Sequence, residues 1–208
     1  MLLFTPALCR QRDPLETLDA ALPFTDVVQV RVEHPDDPRW AAPASELLLW
    51  TERVLERIYA SAHAPLVLVN DRVDVAHALL ERGVAGVHLG TEDCPPATAR
   101  DVLGPEALIG LSTHDMRQVA RAQEEPVDYL GFGPIHPTAT KGYTKGLGSE
   151  AAWIADAASE IPVFPIGGID ATNAAELLQV GRAAVSSAIL AADDPGRAAM
   201  EIRALLSE

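Results

Sequence analysis

Along the 208 residues, short aliphatic runs alternate with longer stretches whose apolar positions recur at helical spacing. The runs are Leu2–Thr5, Val27–Val32, Pro65–Asn70, Gly86–Gly90, Leu108–Ser112, Tyr129–Ile135, Pro162–Gly167 and Ala183–Ile189. Most are nearly continuous in hydrophobicity, which predicts parallel strands covered on both faces. Between them, the spacing predicts helices over Ala44–Ala60, Val73–Leu80, Asp115–Gln123, Glu150–Ser159, Ala171–Val180 and Pro195–Leu206, with Asp170 and Asp194 as N-caps. The stretch from His34 to Pro43 reads as a loop. Eight strand–helix alternations predict a compact (β/α)8 barrel of the TIM type, one domain over residues 1–208. An open doubly wound sheet is the alternative architecture.

Composition narrows the partners. A net charge of −14 argues against nucleic acid, whose binding needs a basic face. A small anionic ligand would need local cations. The chain has only two lysines, Lys141 and Lys145, and both lie in the segment that follows the sixth run. No apolar run approaches the roughly 20 residues that span a bilayer, and the start lacks the pattern of a signal peptide. The expectation is a cytoplasmic protein with no membrane or nucleic-acid partner, acting on small phosphate compounds. A homodimer stays open. Cys9 and Cys94 read as reduced packing residues.

A barrel of this type carries its chemistry at the C-terminal strand ends. Gln29, Arg31 and Glu33 share one parity and hence one face of the second strand. Asn70 and Asp71 follow the third run, Glu92 and Asp93 the fourth, and Ser112, Thr113 and His114 end the fifth. Thr138, Thr140 and Lys141 follow the sixth, Gly167 and Gly168 the seventh, and the eighth carries Ser186 and Ser187. Glycines with nearby hydroxyls after strands 7 and 8 suit a phosphate group, and their position after the seventh strand favours that over the alternative of a tight turn. Asn70 and Asp71 with Asp93 offer hard oxygen ligands for Mg2+, and Asp71 also suits a helix cap. His88 sits in an apolar run and reads as a packed core histidine, while His114 and His136 remain candidates.

Taken in order, Val69-Asn70-Asp71-Arg72, Gly86-Val-His-Leu-Gly-Thr-Glu-Asp93, Gly110-Leu-Ser-Thr-His114, Gly133-Pro-Ile-His-Pro-Thr-Ala-Thr-Lys141 and Ile166-Gly-Gly-Ile169 resemble the thiamine-phosphate synthase and thiazole tautomerase family. The likeness is stronger to the synthase side. The resemblance implies a (β/α)8 fold and a Mg2+-dependent transferase that joins an aminopyrimidine-methyl diphosphate to a thiazole phosphate. It implies that Arg31, Asn70, Ser112 and Lys141 hold the diphosphate, with Gln29 also on the substrate. Asp71 and Asp93 would hold the metal. Gly168, Ser186 and Ser187 would take the thiazole phosphate, and Thr138 and Thr140 would lie near the thiazole.

Departures from the family pattern cluster on the diphosphate side. The family's Gln-x-Arg-x-Lys reads Gln29-Val30-Arg31-Val32-Glu33 here, Thr91 stands where Gln is usual, and Phe4-Thr5-Pro6 lacks the strand-1 aspartate. A carboxylate near a diphosphate is repulsive unless a cation intervenes, so Lys145 is a candidate substitute. The alternatives to a synthase are a thiazole tautomerase with His114 as the proton shuttle, a non-catalytic binder of thiazole or thiamine phosphates, and a Schiff-base aldolase using Lys141.

Overall fold

The computed structural model describes residues 1–34, 37–138 and 144–207. Its strands are β1 (Leu2–Phe4), β2 (Val27–Val30), β3 (Glu33–His34), β4 (Asp37–Ala41), β5 (Leu66–Asn70), β6 (Val84–Leu89), β7 (Leu108–Thr113), β8 (Tyr129–Phe132) and β9 (Val163–Pro165). Its α-helices are α1 (Pro14–Ala21), α2 (Ala44–Ala60), α3 (Val73–Leu79), α4 (Pro96–Leu103), α5 (Met116–Ala122), α6 (Ser149–Ala157), α7 (Ser187–Leu190) and α8 (Pro195–Leu205). Seven strands pair in parallel in the order β1-β2-β5-β6-β7-β8-β9, a curled, TIM-like α/β sheet. Among the described residues, β3 and β4 form a separate antiparallel pair.

Strand parity divides the sheet. Val28, Val30, Val67, Val69, Val87, Leu89, Ile109, Leu130 and Phe132 are buried and join the core that the helices cover. The alternate residues share the other face. There the register sets Gln29 beside Leu3 and Leu68, and lines Asn70 up with His88, Gly110 and Tyr129 across four strands. The helices cover the outside with single apolar stripes. In α2 the stripe is Leu47, Thr51, Val54, Leu55 and Ile58.

Several expectations need correction. The eighth run does not form a strand. Ala184 bridges Ile166 and Val185 bridges Leu2, and from Ser187 the chain turns into α7, which buries Ile189 and Leu190. A short apolar run fits either element, and here the helix wins its second half. The predicted helix over 171–180 shrinks to a 3-10 turn, Ala174–Leu177. The Asp170 carboxylate takes the Thr172 N–H and hydroxyl, and Asn173 bonds Asp170 N–H and Gly168 O. These local bonds compete with helical ones. The loop expected from His34 to Pro43 contains β4, paired with β3. Helices α1 and α4 were not foreseen, although both begin with proline at the first helical position. Asp194 caps α8 as expected, through Arg197 N–H.

Candidate functional site

The face shared by Gln29, Arg31, Asn70, His88 and Ser112 carries polar groups at the C-terminal ends of β2, β5, β6 and β7. Gln29 is 2% exposed, and its Nε2 has no hydrogen-bond partner among the described residues. The Thr5 hydroxyl, just past β1, is likewise buried and unpartnered. Buried donors of this kind normally find an acceptor, and neither atom finds one among the described residues.

Arg31 does not stand alone. Its Nη1 pairs with Glu33 Oε1, and both side chains are largely buried. Glu33 is therefore neutralised by Arg31, two residues before it in the chain, rather than left facing an anion. The guanidinium has five donors, so one contact to Glu33 leaves the others for a ligand. The charge that the sequence leaves uncompensated is met locally.

At the end of β5, Asp71 takes a left-handed backbone, φ 63, with its N–H donating to His88 O at 2.8 Å. Aspartate tolerates that conformation better than most residues. The capping position of α3 is Arg72 and carries no side-chain cap bond, so Asp71 is not that helix's cap. Asp93 follows β6 in a turn, and its Oδ2 accepts from Gly90 N–H at 2.6 Å while the residue stays exposed. Among the described residues no group of three or more His, Cys, Asp or Glu is set to hold a metal. Two carboxylates at neighbouring strand ends fit the sparse protein coordination of Mg2+.

Ser112 meets His88 Nε2 at 2.9 Å, and His88 Nδ1 meets the Tyr129 hydroxyl at 2.9 Å. His88 is half-buried, packs against the Tyr129 ring and is bonded at both nitrogens, so its apolar neighbours conceal a polar link between strands. Tyr129 escapes notice in the sequence altogether. Its phenol is pushed well above the ordinary value, chiefly by burial and further by Asp128. The signal for both was the strand register, which runs through Asn70, His88 and Tyr129.

His114 is exposed at the end of β7, and its Nδ1 donates to Gly133 O at 2.6 Å. The Gly133–Pro134 peptide is cis. His136 sits beside Glu176 at 3.8 Å.

After β9, Gly167 and Gly168 both have positive φ, 100 and 62. A Cβ on Gly168 would come within 2.5 Å of Pro137 O, so glycine is required and the chain after β8 is drawn against the glycine pair. Ser186 donates to Leu3 O at 2.9 Å, and Ser187 is exposed at the start of α7.

Thr138 is half-buried, while Thr140 and Lys141 lie outside the described residues. Lys145 is exposed. Just past it, Leu147 and Gly148 N–H groups bond Pro134 and Ile135 carbonyls at 2.8 and 2.9 Å, which anchors that end of the segment.

Among the described residues, no helix is long and apolar enough to cross a membrane.

Comparison with known proteins identifies the family. Residues 1–189 match the family model described as thiamine monophosphate synthase. A thiamine-phosphate synthase of Mycobacterium sp. (strain KMS) is 42% identical over 208 residues, covering 97% of this chain and 89% of that protein. One from Synechococcus sp. (strain CC9605) is 52% identical over 135 residues, but the match covers 64% of this chain and only 38% of that longer protein. The solved structure of a thiamine phosphate pyrophosphorylase from Pyrococcus furiosus superposes with a TM-score of 0.79 at 28% identity, over 99% of this chain and 94% of that one. A matching family model over most of the chain, a full-length relative and a shared fold converge: this chain belongs to the thiamine monophosphate synthase family.

Proposed function

We propose that the protein is a Mg2+-dependent thiamine-phosphate synthase. It joins an aminopyrimidine-methyl diphosphate to a thiazole phosphate and releases pyrophosphate. The observation that carries this reading is the set of polar groups gathered at one end of the sheet, with Gln29 Nε2 buried there and without a partner among the described residues. The segment 183–185 fits the role of an eighth stave, since its bridges reach both β9 and β1, so we read the fold as a (β/α)8 barrel in one domain.

In the reaction the C–O bond to the diphosphate breaks and the leaving group keeps the electron pair. The thiazole nitrogen supplies the pair for the new C–N bond, so no general base is needed. Negative charge grows on the leaving diphosphate, where Arg31, Asn70, Ser112 and Lys141 act as donors. Asp71 and Asp93 would hold Mg2+, which when bound would supply further charge neutralisation. Gly168, Ser186 and Ser187 hold the thiazole phosphate, with Thr138 and Thr140 beside the ring. Positioning the two substrates supplies much of the remaining acceleration.

A steady-state assay with both substrates tests this. Pyrophosphate should appear with Mg2+ and vanish with a chelator, and Lys141→Ala should lower kcat/KM by roughly 100-fold or more. Unchanged turnover in Lys141→Ala sinks the assignment.

A second reading is a thiazole tautomerase with His114 as the proton shuttle, a residue that the synthase side of the resemblance carries as well. His114 Nδ1 donates to Gly133 O, which leaves Nε2 as a lone-pair acceptor suited to proton shuttling. A thiazole tautomerase would interconvert thiazole carboxylate isomers without Mg2+ and lose that activity in His114→Ala.

A further inference from the structure

Three strands contribute one residue each to a hydrogen-bonded line, Tyr129–His88–Ser112, with 2.9 Å at each step. The two rings lie 5.4 Å apart at 32°, and Phe164 packs edge-on against Tyr129 at 5.4 Å. Two glycines make room for the line. A Cβ on Gly110 would come within 2.1 Å of Tyr129 Cζ, and one on Gly131 within 3.2 Å of His88 Cε1. Any side chain at Gly110 would displace the tyrosine, and one at Gly131 would press on the histidine. The line is thus built into the backbone of β7 and β8, and its far end is a residue assigned to the diphosphate.

Resting on the synthase reading, we propose that His88 is a positioning residue: as the neutral Nε2–H tautomer, it holds the Ser112 oxygen so that the serine O–H is aimed at the diphosphate. A neutral ring has two arrangements of hydrogens available. In the first, the Tyr129 O–H donates to Nδ1, Nε2–H donates to Ser112 Oγ, and the serine hydrogen is left for an anion. In the second, every bond reverses: Nδ1–H donates to the phenol, Ser112 donates to Nε2, and the serine presents only lone pairs to the ligand. The second also turns the phenol hydrogen away from the nitrogen that meets it, inside an aromatic pocket. Buried hydroxyls do not readily give up such a bond, and lone pairs facing phosphate oxygens repel. Tyr129 therefore sets the tautomer, and the tautomer sets the direction of the Ser112 hydroxyl.

Long-range 1H–15N correlation on imidazole-labelled protein reads the tautomer directly, with the His88 signal assigned by its loss in His88→Gln. The expected pattern is neutral Nε2–H, kept when inorganic pyrophosphate is added. An Nδ1–H or doubly protonated ring overturns the proposal. Tyr129→Phe should mix the tautomers; an unchanged spectrum would show that the phenol does not set them.

Kinetics give an independent arm. His88→Leu should lower kcat about as much as Ser112→Ala, and the double variant should be no worse than either. Additive losses would mean that His88 acts separately from Ser112. His88→Gln, whose amide replaces the Nε2–H donor, should recover most of the rate with the thiazole-phosphate KM unchanged. If the wild type shows no turnover, the synthase reading fails. The line is then judged by the tautomer and by calorimetric pyrophosphate affinity, which should fall in His88→Leu and return in His88→Gln.

Discussion

Arg31 and Glu33 show how a single contact redefines a substitution. Glu33 occupies a position where the sequence resemblance leads one to expect lysine, yet it closes an ion pair with Arg31. Largely buried pairs of this kind hold geometry more than they add stability. Glu33→Lys should free the guanidinium and add a second cation. The diphosphate-substrate KM should fall roughly tenfold, the scale of one charge-assisted hydrogen bond. A raised KM would mean that the pair orients Arg31 productively. The cysteines offer a second residue-scale check. Cys9 is buried, and desolvation pushes its thiol up, whereas Cys94 is partly exposed. Thiolate is the reactive form, so a disulfide-exchange reagent should titrate one thiol rapidly in the native state and the second only on unfolding.

Helix ends show which element signals were legible. Asp13, Asp115 and Asp194 each accept backbone N–H bonds at their N-termini, and the Asp-Pro start of α1 was readable as a helix signal although its weak periodicity hid the element. Asp194→Ala should cost about 1 kcal/mol and lower Tm by about 2–4 °C. The Asp115 carboxyl is held below its usual range, first by the Gln118 N–H and also by Arg117. A lowered folded value means that its contribution is present above the ordinary carboxylate range and is lost as pH falls through the folded value. Asp115→Asn should therefore flatten the acid limb of the stability profile; an unchanged limb would show that the cap is not coupled to protonation. By contrast, residues 171–180 carry helical spacing but also Asp170, Thr172 and Asn173, whose side chains bond the local backbone. Periodicity alone is blind to that competition.

At the level of the whole molecule, an acidic chain of net charge −14 gathers its candidate site residues at one end of a parallel sheet. The strands were legible because each is a short, nearly unbroken aliphatic run, and a parallel sheet with helices outside follows from their alternation. The candidate residues at strand ends were legible as motifs with fixed local spacing. Chain order and side-chain parity, both local properties, thus determined the alternation and the family, whereas the single strand face expected for Gln29, Arg31 and Glu33 did not form, because β2 ends at Val30 and Glu33 belongs to β3. Only the tertiary structure decided that Glu33 pairs with Arg31, that Asp71 sits in a left-handed turn rather than capping α3, and that His88 joins Tyr129 to Ser112. It also decided that the eighth run spends its second half in α7. These outcomes depend on register between strands far apart in sequence, and no local pattern encodes which residue of one strand stands opposite which residue of the next.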